Sequence, residues 1–208
     1  MTKYAGTRAL VAGATDVGLA AAKRLVEGGA DVLLADRDAA RLAGAAAELG
    51  SAVHLLEPPA GEVPAAAVAE ALGGVDLVLT ATGPEGVRPL LPLLADGGAI
   101  VFVAPSPGGA GAPQADGDAP WAGVRALAAE LAGRGVRVNT VVPGFLDPAP
   151  GVPLDRYADL RDRCRARAPL RRLGAPDEVA RAALFLATEA TFTTGARLPV
   201  DGGLALHD

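Results

Sequence analysis

A chain of 208 residues, half of them apolar, is long enough to bury one sizeable core and too short for two. Its net charge of -5 gives no attraction to phosphate backbones or anionic lipid, which argues against nucleic acid and membrane surfaces as partners. The single cysteine, Cys164, precludes an internal disulfide, no apolar run reaches the ~20 residues that span a bilayer, and the opening MTKYAGTRAL lacks a signal peptide's apolar stretch, so the expectation is a soluble, cytoplasmic protein.

In chain order, short β-branched or Leu-rich runs alternate with Ala-rich helical patterns, the signal of βαβ units in a parallel sheet. Predicted strands fall at 8–12, 31–35, 52–56, 77–81, 99–104, 137–142 and 197–200. Helices are predicted at 17–27, 38–49, 64–72, 85–94, 121–132 and 176–187. The fold class is therefore α/β: one Rossmann-type domain over 1–208, a doubly wound, seven-stranded parallel sheet with helices on both faces. Two stretches resist the alternation. Residues 105–120 are punctuated by Pro and Gly and read as an irregular loop. The segment 147–168 opens with a second such loop and continues as a charged helix over 155–167, a lid over the carboxyl ends of the strands, where ligands of open α/β sheets sit.

The first predicted strand runs into Gly13-Ala14-Thr15-Asp16-Val17-Gly18 and then a helix, the context in which backbone amides aim at a pyrophosphate. Against G-x-G-x-x-G the first and last glycines are present, while Thr15 stands at the middle one and narrows the approach. Asp16 puts a carboxylate in the first helical turn, where it competes for the same amides. Asp36, closing the second strand, is placed to hold a ribose 2′-hydroxyl and favours NAD over NADP; Arg37 beside it tolerates a 2′-phosphate. The alternative, in which the glycines merely permit a tight turn and no dinucleotide binds, stays open.

The second half carries a more specific pattern. Gly135 through Phe145 (GVRVNTVVPGF), Leu170 through Ala180 (LRRLGAPDEVA) and Thr194 through Gly203 (TGARLPVDGG) resemble the sixth strand with its Pro-Gly turn, the final helix and the last strand of short-chain dehydrogenases/reductases. The resemblance covers nearly the whole chain. It implies the fold above, NAD or NADP as cofactor, and a catalytic Asn, Ser, Tyr and Lys set. The Tyr and Lys positions fall near Pro113 and Gly117, and neither residue type occurs between Lys23 and Tyr157. Pro105 stands at the family's serine, with Ser106 one place later; the turn after the fourth strand reads Thr80-Ala81-Thr82-Gly83, leaving Thr82 and Gly83 as candidates to face the dinucleotide; and the segment 83–100 is shortened.

Proton transfer needs a titratable group within reach of the substrate, so the loss of these side chains argues against standard hydride-transfer chemistry. The remaining catalytic candidates are Ser106, Asp116, Tyr157 and Arg161. Tyr157 and Arg161 stand four apart on one helical face; Asp116 lies in the irregular loop beside Asp118, which reads equally as a helix cap. His54 and His207 have no partners that suggest a metal. The expectation from the residues is a non-redox isomerase, cyclase or lyase acting on a small organic molecule. Alternatives are a non-catalytic subunit of an active reductase, and an NAD(P)-dependent oxidoreductase with a non-standard proton donor such as Tyr157. A homo-oligomer, or a hetero-oligomer with another member of the family, is expected through the C-terminal strand region.

Overall fold

The computed structural model describes residues 2–59, 62–106, 119–147 and 157–207, and the expected architecture is present in them. Seven strands, β1 (Arg8–Ala12), β2 (Asp31–Ala35), β3 (His54–Leu56), β4 (Val75–Thr80), β5 (Leu94–Val103), β6 (Arg137–Pro143) and β7 (Arg197–Val200), form one sheet in the order β3-β2-β1-β4-β5-β6-β7. Every pairing is parallel.

The strand residues alternate between two cores, as a two-residue side-chain period requires. Ala9, Val11, Ala99 and Val101 face one layer, with α1 (Asp16–Glu27), α2 (Ala39–Leu49) and α7 (Pro176–Thr188). Leu10, Ile100 and Phe102 face the other, with α3 (Ala65–Leu72), the four-residue α4 (Pro84–Val87) and α5 (Ala119–Leu131). Among the described residues no helix is long and apolar enough to cross a membrane.

Differences from the expected elements have local causes. The helix expected over 85–94 shrinks to α4 plus a 3-10 turn at Arg88–Leu90, because Pro89 and Pro92 have no N–H to donate one turn back. Strand β5 starts five residues early: Leu94 pairs with Val75 before the register shifts, and the intervening Asp96-Gly97-Gly98, which reads as a break, is absorbed as an irregularity in the ladder. Strand β3 is shorter than expected, and its His54 is exposed, with Nε2 3.2 Å from Asp31 Oδ1.

The last two strands are joined by a buried amide. Asn139 is fully buried, its Nδ2 donates to the Thr193 carbonyl at 2.8 Å, and its Oδ1 accepts from Ala196 N at 3.0 Å. The neighbouring Arg137 donates to the carbonyls of Leu186, Ala187 and Ala190, closing the carboxyl end of α7. The polar α6 (Tyr157–Arg167) is anchored by a small cluster in which Cys164 and Ala168 meet Phe145 and Leu204. Burial pushes the Cys164 thiol up, and its Sγ donates to the Arg172 carbonyl.

Candidate nucleotide and active site

Chain order reverses between β1 and β4, and a crevice opens there at the carboxyl ends of the strands. A cavity of about 450 Å³ occupies it, lined by Ala12, Gly13, Thr15, Asp36, Arg37, Arg41, Glu62, Thr80 and Thr82 among others. Its floor is the turn from β1 into α1. Gly13 sits at φ 122°, in the region that favours glycine, and its N–H donates to the Ala35 carbonyl at 2.7 Å. A Cβ on Gly18 would lie 1.8 Å from the Gly13 carbonyl oxygen, so only glycine lets the helix approach the turn this closely.

Two amides of the turn are already taken by side chains. Thr15 caps α1, its Oγ1 accepting from Gly18 N at 3.3 Å. Asp36 accepts from Ala14 N at 2.7 Å through Oδ2 and from Asp38 N at 2.9 Å through Oδ1, with Arg41 Nη1 3.5 Å away. The competitor expected at this turn, Asp16, takes none of them; its neighbour Thr15 is better placed, because an N-cap side chain reaches the amide three residues on. Across the crevice the hydroxyls of Thr80 and Thr82 lie 2.8 Å apart, and Thr82 N donates to Thr80 Oγ1.

Of the seven residues expected to hold a dinucleotide, Gly13, Thr15, Asp36, Arg37 and Thr82 line this cavity. Gly18 acts from beneath, and Gly83 precedes α4 without lining it. The sequence reading missed Arg41 and Glu62; for Arg41 the available signal was its place in the first turn of the helix capped by Asp38.

The catalytic candidates are more scattered. Ser106 Oγ donates to the Gly144 carbonyl at 2.5 Å, tying the end of β5 to the Pro143-Gly144 turn. Tyr157 donates its hydroxyl proton to the Asp147 carboxylate, a partner that helical spacing gave no hint of. Arg161 lines a separate cavity of about 190 Å³ with Asp147, Arg165, Arg171, Arg172 and Leu173. Ser106 and Tyr157 thus both attach to the turn after β6, three residues apart. Asp116 and Asp118 lie outside the described residues, as do 107–115 of the irregular loop and 148–156 of the lid. Among the described residues no group of three or more His, Cys, Asp or Glu is placed to hold a metal ion.

A parallel sheet with a glycine turn and a strand-end acid at its switch point defines the Rossmann-type class. The family described as Enoyl-(Acyl carrier protein) reductase matches residues 84–205, and the one described as Zinc-binding dehydrogenase matches 17–137. Galactitol 2-dehydrogenase (L-tagatose-forming) of Cereibacter sphaeroides is 33% identical over 240 residues, taking in 95% of this chain and 94% of the relative. Acetoacetyl-CoA reductase of Allochromatium vinosum is 46% identical over 83 residues, 39% of this chain and 33% of that one. The solved structure of a protein described as Short-chain dehydrogenase/reductase SDR:Glucose/ribitol dehydrogenase from Brucella melitensis matches with a TM-score of 0.74 at 25% identity, covering 97% of each chain. The chain belongs to the short-chain dehydrogenase/reductase family.

The galactitol dehydrogenase match is longer than this chain, so that relative carries segments without a counterpart here, in keeping with the clipped α4. These relatives are named for dehydrogenase and reductase reactions, which overturns the expected isomerase, cyclase or lyase. The expectation failed because the absence of particular side chains does not by itself decide the reaction class.

Proposed function

We propose that the chain is an NAD(P)-dependent oxidoreductase interconverting a small carbonyl compound and its alcohol, with a proton donor other than the family's Tyr and Lys couple. One observation carries the reading: the β1–α1 turn, with Gly18 closed on the Gly13 carbonyl and Asp36 engaged at the end of β2, floors and borders a cavity at the switch point. These residues fit a dinucleotide. First-turn amides of α1 have no carbonyl one turn back and suit a pyrophosphate, while Asp36 suits ribose hydroxyls. When bound, such a cofactor supplies or accepts the hydride.

Specificity follows from charge. A ribose 2′-hydroxyl can donate to Asp36, whereas a 2′-phosphate meets the carboxylates of Asp36 and Glu62 before it gains Arg37 and Arg41. NAD is therefore the preferred form. The remaining task of the chain is to move a proton at the substrate oxygen, and Tyr157, oriented by Asp147, is the proposed donor. Ser106, held on the Gly144 carbonyl, positions the turn against β5.

Calorimetric titration tests this directly. NADH is expected to bind more tightly than NADPH, and Asp36→Ala to weaken NADH by about tenfold, the loss of one or two hydrogen bonds to a charged group. Absence of binding by either dinucleotide contradicts the proposal. The reading extends to self-association: β7 ends the sheet, and Leu170, Phe192 and Leu206 are exposed. Light scattering is expected to report an oligomer, and a monomer at high concentration removes this part.

A further inference from the structure

The cavity beneath α6 carries a charge pattern that the proposed hydride chemistry does not use. Six arginines fall within residues 161–172, accompanied by one acid, Asp162, in a chain whose net charge is -5. Cations spaced this closely along a helix and its following turn repel one another, so an anion placed among them is stabilised. Four of them, Arg161, Arg165, Arg171 and Arg172, line the cavity of about 190 Å³, and Asp147 is the one acid on its wall.

Internal partners neutralise only part of this charge. Arg172 forms a fork with Glu178 at 2.7 and 2.8 Å, Arg165 lies 3.9 Å from Asp162, and Asp147 accepts the Tyr157 proton. The guanidinium groups of Arg161 and Arg171 have no hydrogen bond or ion pair with any described residue. Arg171 is also the one non-glycine residue at positive φ among those described, at 53°. Its turn is fixed by Leu170 N donating to the Gly202 carbonyl at 3.0 Å and Arg171 N to the Ala168 carbonyl at 2.8 Å. A long side chain held in that backbone region is a local cost that the surrounding contacts impose.

Position gives the cavity its role. Asp147 follows β6 and its N–H donates to the Gly174 carbonyl, so the arginines gather at the carboxyl end of β6, with β5 between them and the cavity that holds Asp36. They stand at the far side of the cleft from the ribose site. Planar guanidinium forks match the oxygens of phosphate and carboxylate groups. We propose that this cavity is an oxyanion subsite, and that the substrate of the oxidoreductase is an anionic carbonyl or alcohol compound whose phosphate or carboxylate group is held by Arg161 and Arg171. The second clause rests on the function proposed above; the first does not.

Calorimetry on the full chain, with inorganic phosphate and acetate as separate probes, tests the subsite. Arg161→Gln together with Arg171→Gly is expected to weaken the preferred anion by about tenfold or more. Arg171→Gly relieves the backbone strain, so a folding defect does not account for the loss. Arg125→Gln, an exposed position on α5, is expected to change nothing. Tighter phosphate assigns a phosphorylated substrate and tighter acetate a carboxylate one. NADH titration of the same variants separates the claims. Anion binding that depends on the arginines without NADH binding leaves the subsite and removes the oxidoreductase. NADH binding without saturable binding of either anion, or with binding indifferent to the arginines, overturns the subsite; so does NADH affinity that falls with the double variant.

Discussion

At the residue scale, the contact between Gly18 and the Gly13 carbonyl sets the cradle. Gly18→Ala forces a Cβ into that oxygen, and overpacking of this kind costs about 1–3 kcal/mol and moves the helix off the turn. Thermal denaturation is expected to show the loss, and NADH titration a larger one than at any neighbouring alanine variant. An unchanged Tm would mean that the turn relaxes freely. Gly13, Gly18 and Asp36 were legible in the sequence because each is demanded by backbone geometry or strand position. Thr15 was read as an intruder and is a helix cap, since a side chain's partner is decided by where the next turn of backbone lies.

At the element scale, the strand and helix order was legible from hydrophobic periodicity alone, and the misses fell where irregular backbone took over. The expected helix over 85–94 yielded to Pro89 and Pro92, and β5 ran through Gly97-Gly98 because its pairing with β4 outweighed the local break. Asn139, inside the strand pattern of Gly135 through Phe145, pins the residues that lead into β7, a partner that its place in the pattern does not reveal. Asn139→Ala leaves the Thr193 carbonyl and Ala196 N–H without their partner, and denaturant unfolding is expected to register a loss of about 2 kcal/mol. A change within a few tenths would show that water replaces the amide.

At the scale of the whole molecule, ion pairs, one local and two between distant segments, make stability depend on acid. Arg172 and the Ala175 N–H hold the Glu178 carboxyl down at about 2, below its ordinary 4.5, and bonds from Arg8 and Arg24 lower Asp76 and Asp177. Each carboxyl is depressed in the folded state, so its contribution is complete above the unfolded value and is lost as pH falls through the folded one. Tm is expected to hold near neutrality and to drop between about pH 4.5 and 2, with Glu178→Gln flattening the drop. A Tm independent of pH across that interval would show that these pairs do not couple to folding.

The same scale exposes what the sequence could not give. Tyr157 and Asp147 meet across ten residues of chain, and Arg161 joins Arg171 and Arg172 through the turn after α6, contacts created by tertiary packing and invisible to spacing. The reaction class is hidden in the sequence for a related reason: missing side chains say nothing of the cleft that remains. Turnover decides the matter most directly. With a panel of phosphorylated, carboxylated and neutral ketones, the chain is expected to consume NADH absorbance with at least one of them, and Tyr157→Phe to slow that reaction by about a hundredfold, the scale of a lost general acid. NADH consumption unchanged in Tyr157→Phe would remove Tyr157 as donor; no consumption with any ketone, in a chain that binds NADH, would contradict the oxidoreductase itself.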